Sequence, residues 1–211
     1  MGRPHLVELR IAAPAEPWRE LGLWLDEDGA CTVGGVRIAL AGGEGGISGW
    51  TLAGVGSAGG AIDGLETEVV DAPRTVDPTE HPLGAVAVDH VVVATPDIER
   101  TVAALTDAGL AVARLRDAEV AGRQVRQAFL PCVEALVEVV GPPEPACDGP
   151  AAFWGLTLAV ADLDGAVERL GDRIGPPRDA VQPGRRIATV RPEAGLGVRL
   201  ALMTPREPGS A

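Results

Sequence analysis

The stretch Val88-Asp-His-Val-Val-Val-Ala-Thr-Pro-Asp-Ile-Glu-Arg-Thr-Val-Ala-Ala-Leu-Thr-Asp-Ala-Gly-Leu110 reads as one strand, a start signal, one helix and a stop. Val88 to Ala94 is β-branched and apolar except for Asp89 and His90. Thr95 is suited to cap a helix, and Pro96 to its first position, where the missing N–H has no partner to lose. Ile98, Val102 and Leu105 recur at helical spacing, and Gly109 supplies the left-handed residue that ends a helix.

The same design returns downstream in Gly155-Leu-Thr-Leu-Ala-Val-Ala-Asp-Leu-Asp-Gly-Ala-Val-Glu-Arg-Leu170. At one offset Ala94 falls on Ala159, Asp97 on Asp162, Ile98 on Leu163, Val102 on Val167 and Leu105 on Leu170. Three strand-like segments follow each strand–helix unit. They run near 111–116, 125–130 and 135–140 in the first unit, and near 178–181, 186–191 and 197–203 in the second. Each unit is therefore β-α-β-β-β. The Pro-rich, acidic segment 142–150 joins them.

The N-terminal part carries the scheme in worn form. Val7 to Pro14 sits like the strand ending at Pro96, residues 17–25 supply a short helix, and Val36 to Gly42 sits like Ala135 to Gly141. Gly49-Trp-Thr-Leu-Ala53 resembles Gly155-Leu-Thr-Leu-Ala159, but its sequel 54–64 is too glycine-rich for a long helix. Leu65 to Val70 closes the piece. The fold class expected is α+β, built of paired βαβββ modules. A degenerate pair occupies 1–71, a linker 72–85, a fuller pair 86–205 (modules 86–141 and 152–204), and a tail 206–211.

Composition narrows the function. A net charge of −12 disfavours a nucleic-acid partner. The 18 basic residues are all arginine, so Schiff-base chemistry and a P-loop lysine are excluded, and with no tyrosine there is no phenolic acid or base. No apolar run approaches a membrane span, and no apolar signal region follows the first residues. Cys31, Cys132 and Cys147 are odd in number and lack metal spacing, which suits reduced thiols in the cytoplasm. Gly42 to Gly49 lacks the spacing and context of a phosphate cradle and reads as a loop.

The Asp-His-Val-Val-Val strand, the Thr-Pro-Asp helix start and the closing Leu136-Val-Glu-Val-Val-Gly-Pro142 resemble the vicinal oxygen chelate superfamily, which includes glyoxalase I, extradiol dioxygenases, epimerases and antibiotic-resistance proteins. The resemblance covers roughly 86–204 well and 5–71 weakly. It implies a cup-shaped sheet with a divalent metal (Fe, Zn, Mn or Ni) held by His, Glu or Gln from the first and last strands of each module. Those positions are His90 and Glu138 in one module but Gly155 and Ala201 in the other. In the N-terminal half they fall near Glu8, Ala39 and Gly49. A four-ligand glyoxalase site is thus absent in its usual form, as is the two-histidine dioxygenase triad.

Residue by residue, His90 is either a cavity ligand or a half-buried, hydrogen-bonded imidazole. Glu138 interrupts an apolar strand, so it needs a metal, a cation or a raised pKa. It is read as metal ligand or general base, against a salt bridge to Arg126 or Arg114. Gln127, Arg186 and Trp154 are the substrate-binding candidates, against hairpin chemistry for Arg186 and core packing for Trp154. Glu8 is expected to face solvent or pair with Arg10 or Arg37. His5 and His81 are expected at the surface. The function expected is a glyoxalase-like metalloenzyme, lyase or isomerase before dioxygenase, acting on a small oxygenated molecule. The alternative is a metal-free cup that sequesters a small molecule, as resistance proteins of this fold do. The expected partner is a small-molecule ligand, with no nucleic acid and no membrane, and the symmetric fold is compatible with a homodimer.

Overall fold

The computed structural model describes residues 2–43, 45–56, 60–73, 79–120 and 122–206. Part of the expected linker (74–78), part of the glycine-rich segment (57–59) and all but the first residue of the tail (207–211) lie outside the described residues.

The C-terminal half is an eight-stranded sheet. Its first module runs β1 (Ala85–Ala94), α1 (Ile98–Asp107), β2 (Arg114–Val120), β3 (Arg123–Pro131) and β4 (Leu136–Gly141). Its second runs β5 (Ala152–Val160), α2 (Leu163–Leu170), β6 (Arg178–Asp179), β7 (Arg186–Thr189) and β8 (Arg199–Met203). In spatial order the strands are β6-β7-β8-β5-β1-β4-β3-β2. Each module's last strand lies parallel to its first, and the two first strands pair antiparallel at the centre. This is the paired βαβββ arrangement.

The N-terminal half repeats that plan with parts missing. It comprises β9 (His5–Ile11), α3 (Ala15–Leu21), β10 (Ala30–Val33), β11 (Val36–Leu40), β12 (Ile47–Ala53), β13 (Ala61–Ile62) and β14 (Leu65–Val70). Here too the first strands β9 and β12 pair antiparallel, and each lies parallel to the strand that closes its unit. No helix follows β12 among the described residues, as its glycine-rich sequel implies.

Helix α1 starts two residues later than the sequence suggests. Its cap is Asp97, whose Oδ1 accepts from Arg100 N at 3.0 Å. Thr95 and Pro96 form the turn before it. Thr95 Oγ1 bonds the Thr101 hydroxyl at 2.6 Å, tying the turn to the helix's buried face. Asp162 caps α2 in the same way, accepting from Gly165 N at 3.0 Å. Gly109 adopts φ 112°, as a helix stop requires.

Alternation along β1 sets the two faces of the large sheet. Val91 and Val93 are fully buried, whereas His90, Val92 and Ala94 on the other face are half-buried. The Val91–Val93 face belongs to one hydrophobic core that also includes Trp18, Trp50 and Leu52 from the N-terminal half. Trp50 meets the edge of Phe153 with ring centroids 5.1 Å apart, and Trp18 Nε1 donates to Leu196 O at 3.0 Å. The turn between β10 and β11 presses directly on β1. A Cβ at Gly34, whose φ is 57°, would lie 2.6 Å from Ala87 Cα. His81, expected at the surface, is buried. Its Nδ1 accepts from Trp24 N at 3.2 Å and its Nε2 lies 2.9 Å from Thr32 O, so it pins the connection to the N-terminal half.

Candidate functional site

The half-buried face of the large sheet is where His90 and Glu138 meet. Leu136 is the cross-strand partner of His90, and Glu138 lies one step further along β4, opposite Val92. That diagonal brings His90 Nε2 to 3.8 Å from Glu138 Oε2, with the two side chains 12% and 15% exposed. The two groups share one side of the sheet.

The residue before His90 completes the arrangement. In the β1–β5 register Thr157 faces His90 and Leu158 faces Val88, so Asp89 is an extra residue. Such a bulge turns a side chain off the face that strict alternation would give it. Asp89 Oδ2 accepts from His90 Nδ1 at 2.9 Å, and its Oδ1 accepts from Arg185 Nη2 at 2.6 Å. Burial pushes the Asp89 carboxyl up, but hydrogen bonds from His90 and Arg185, together with the Arg185 charge, outweigh it and hold the group well below the usual carboxylate range. An ionised Asp89 requires the proton on Nδ1, which leaves Nε2 with the lone pair. Thr157 Oγ1 lies 3.0 Å from that nitrogen. Thr157 is buried, so its hydroxyl serves to hold the ring.

On the other side, Gln127 Nε2 donates to Glu138 Oε1 at 2.5 Å. Gln127 Oε1 in turn accepts from Arg116, through Nε at 2.9 Å and through Nη2. The guanidinium fixes which way the amide points, and the amide fixes the carboxylate. Arg116 also lies over the Phe129 ring, 5.7 Å from its centroid. Arg126, one of the arginines in the alternative ion-pair reading of Glu138, pairs with Asp117 at 2.8 Å.

Three of the five residues named from sequence thus come together: His90, Glu138 and Gln127. Arg186 does not join them. It reaches outward to Asp164 on α2 at 2.8 Å, because alternation along β7 directs its neighbour Arg185 to Asp89 instead. Trp154 does not join them either. It is the extra residue of a second bulge in β5, half exposed, with Arg199 4.8 Å above its ring. Sequence reasoning gave no role to Asp89, Thr157, Arg116 or Arg185. Asp89 was hidden because alternation assigns it to the opposite face, and no local signal marks the bulge.

The donor set does not fit a resident catalytic metal. Such a zinc site needs about three protein ligands, whereas among the described residues no three His, Cys, Asp or Glu side chains converge on one point. The equivalent positions of the second module are Gly155 and Ala201, and any Cβ at 155 would stand 3.0 Å from Arg199 O. Gly155 therefore serves close strand packing and leaves no room for a ligating side chain.

The thiols take no part in the site. Cys31 and Cys132 are buried, and burial pushes each up to about 12, while Cys147 is exposed in the segment between the modules. Among the described residues no helix is long and apolar enough to cross a membrane.

The chain was compared with known proteins. No curated protein matches it in sequence. Among solved structures, methylmalonyl-CoA epimerase from Mycobacterium tuberculosis is 21% identical with a TM-score of 0.47, over 59% of this chain and 91% of that one. A hypothetical protein from Bacillus halodurans is 16% identical with a TM-score of 0.47, over 59% and 97%. Streptomyces coelicolor methylmalonyl-CoA epimerase in complex with 2-nitronate-propionyl-CoA is 20% identical with a TM-score of 0.46, over 58% and 99%. The sequence profile of the Glyoxalase/Bleomycin resistance protein/Dioxygenase superfamily matches residues 89–189, which run from Asp89 through both modules to the end of β7, and over these residues the chain is similar to that superfamily.

Proposed function

We propose that the face bearing His90 and Glu138 binds a small oxygenated molecule and moves a proton on it, as an isomerase or lyase does. The observation that carries this reading is the pairing of an imidazole and a carboxylate 3.8 Å apart, the imidazole held by Asp89 and Thr157 and the carboxylate by the Gln127 amide. A carboxylate clamped by arginines is a poor base. Glu138 is held at one oxygen by an amide, and its second oxygen is free to take a proton from a carbon beside a carbonyl. His90, held with its lone pair at Nε2, stands within reach to pass that proton on. Residues Asp89 and Arg116 act behind these two, as the groups that fix their orientation. Three unpaired cysteines fit a reducing compartment, and the reading places this chemistry in the cytoplasm.

The second reading is a binding cup without chemistry. It is favoured by Gly155 and Ala201, which contribute no donor from the second module. One experiment separates the readings. The protein is incubated in D2O with a panel of small 2-oxo and 2-hydroxy acids and thioesters, and exchange at carbon is followed by NMR. Exchange that disappears in both Glu138→Gln and His90→Ala is the expected result. Binding of a panel member without exchange in the wild type supports the cup alone. Metal analysis of the same preparations adds a third outcome. Stoichiometric iron, zinc, manganese or nickel that is lost in both variants would replace the metal-free reading with a metalloenzyme.

A further inference from the structure

We propose that the cleft at the start of β1 binds the carboxylate of a small anionic molecule. The cleft has a volume of about 340 Å³, at the lower end of small-molecule sites. Its floor includes Asp89, Leu136 and Ala159, and its walls carry Arg3, Arg206 and Glu134. Asp89 is the hydrogen-bond partner of His90, and Leu136 is its cross-strand neighbour, so the cleft adjoins the site described above.

The lining sets two guanidiniums, Arg3 and Arg206, against two carboxylates, Asp89 and Glu134, and Arg185 on the far side of Asp89 adds a third guanidinium. Asp89 is already engaged by Arg185 at 2.6 Å and by His90 at 2.9 Å. Arg206 Nε donates to the same Asp89 oxygen at the longer distance of 3.4 Å, and its side chain is 45% exposed. Glu134 is committed to His5 Nδ1 at 2.7 Å and to Leu6 N at 2.9 Å. Arg3 enters no ion pair among the described residues. Behind Asp89, the buried Nη1 of Arg185 has no hydrogen-bond partner among the described residues. The surroundings thus hold more guanidinium than carboxylate, in a protein whose net charge is −12. A local surplus of arginine donors suits an anion, and the planar fork of a guanidinium matches a carboxylate. The neighbouring Asp89 and Glu134 disfavour a second negative charge, so a carboxylate suits the cleft better than a phosphate dianion.

This assignment rests on the proton-transfer reading and deepens it, since it makes the substrate a small carboxylate. The test is titration calorimetry on the full chain with pyruvate, its methyl ester and inorganic phosphate. Pyruvate is expected to bind saturably, and the uncharged ester about tenfold more weakly, the equivalent of one charge-assisted hydrogen bond. Arg206→Gln and Arg3→Gln should each weaken pyruvate several-fold and flatten the salt dependence. Glu8→Gln, in the ion-pair patch of the N-terminal sheet and outside the cleft, should leave pyruvate binding within about twofold. Equal binding of acid and ester, no saturable pyruvate binding, tighter binding of phosphate than of pyruvate, or indifference to both arginine variants overturns the proposal. Retained pyruvate binding with no carbon exchange in any preparation defeats only the proton-transfer reading. Exchange on a neutral panel member without carboxylate binding defeats only this one.

Discussion

Each sheet carries a carboxylate on a strand of its parallel first–last pair, Glu8 on the first strand and Glu138 on the last, and treats it differently. In the N-terminal sheet Glu8 lies opposite Arg37 in the parallel register and pairs with it at 3.2 Å. Arg10 approaches Glu8 at 3.6 Å and also reaches Glu68 at 3.3 Å and Thr51 at 2.9 Å. In the C-terminal sheet Glu138 meets an amide and an imidazole. The first arrangement fixes a negative charge between permanent cations and has no proton to exchange. The second surrounds the charge with an amide that donates and an imidazole that can accept or donate a proton. One fold plan thus yields a structural ion-pair patch in one half and a reactive pair in the other.

The sharpest way to break this contrast is at Asp89. Asp89→Ala leaves Arg185 buried without its carboxylate and should cost about 3–5 kcal/mol in urea unfolding. Because the folded carboxyl lies below its ordinary value, its contribution is complete above about pH 4 and is lost as pH falls toward the folded value. Stability curves of wild type and Asp89→Asn should therefore converge in acid, and parallel curves would refute the pairing.

A smaller loss, about 1–3 kcal/mol, is expected for Gly34→Ala, from the positive φ and the contact with β1. Since that turn is how the N-terminal half bears on the strand carrying His90, the variant should also broaden the His90 ring signals in NMR. Unchanged signals would show that the two halves act independently.

Thr157→Val should cost about 1 kcal/mol and shift the His90 Nε2 resonance while leaving Nδ1 bound to Asp89. The smallest effect belongs to the N-terminal patch. Glu8→Gln should change stability by no more than about 1 kcal/mol and leave carbon exchange untouched, in contrast to Glu138→Gln, which should abolish exchange. Equal effects at both positions would erase the distinction between the halves.

Much of the fold was legible because repetition is a long-range signal. The offset matching Asp97 to Asp162 and Leu105 to Leu170 marks two equivalent strand–helix units, and both aspartates prove to be helix caps. The exposed ends of the logic were less visible. Thr95 looked like the cap because it precedes a proline, but its hydroxyl is used across the turn, on Thr101. His81 sits in a Pro-rich connection, and nothing local shows that Trp24 and Thr32 will close around it. At the site, Glu138 was readable because a carboxylate in an apolar strand demands a partner, and His90 because the superfamily resemblance puts a functional residue at its position. The identities of those partners depend on register. A one-residue bulge decides Asp89, and alternation decides Arg185 over Arg186.

The three thiols carry a practical consequence. Two are buried, with burial pushing their thiols up, and Cys147 alone stands exposed in the chain joining the modules. Under native conditions a maleimide dye should attach at that single address. With no engineering, the protein offers one fluorescent reporter at the hinge of its two repeats, and labelling at the other two sulfurs would clock the opening of the interior.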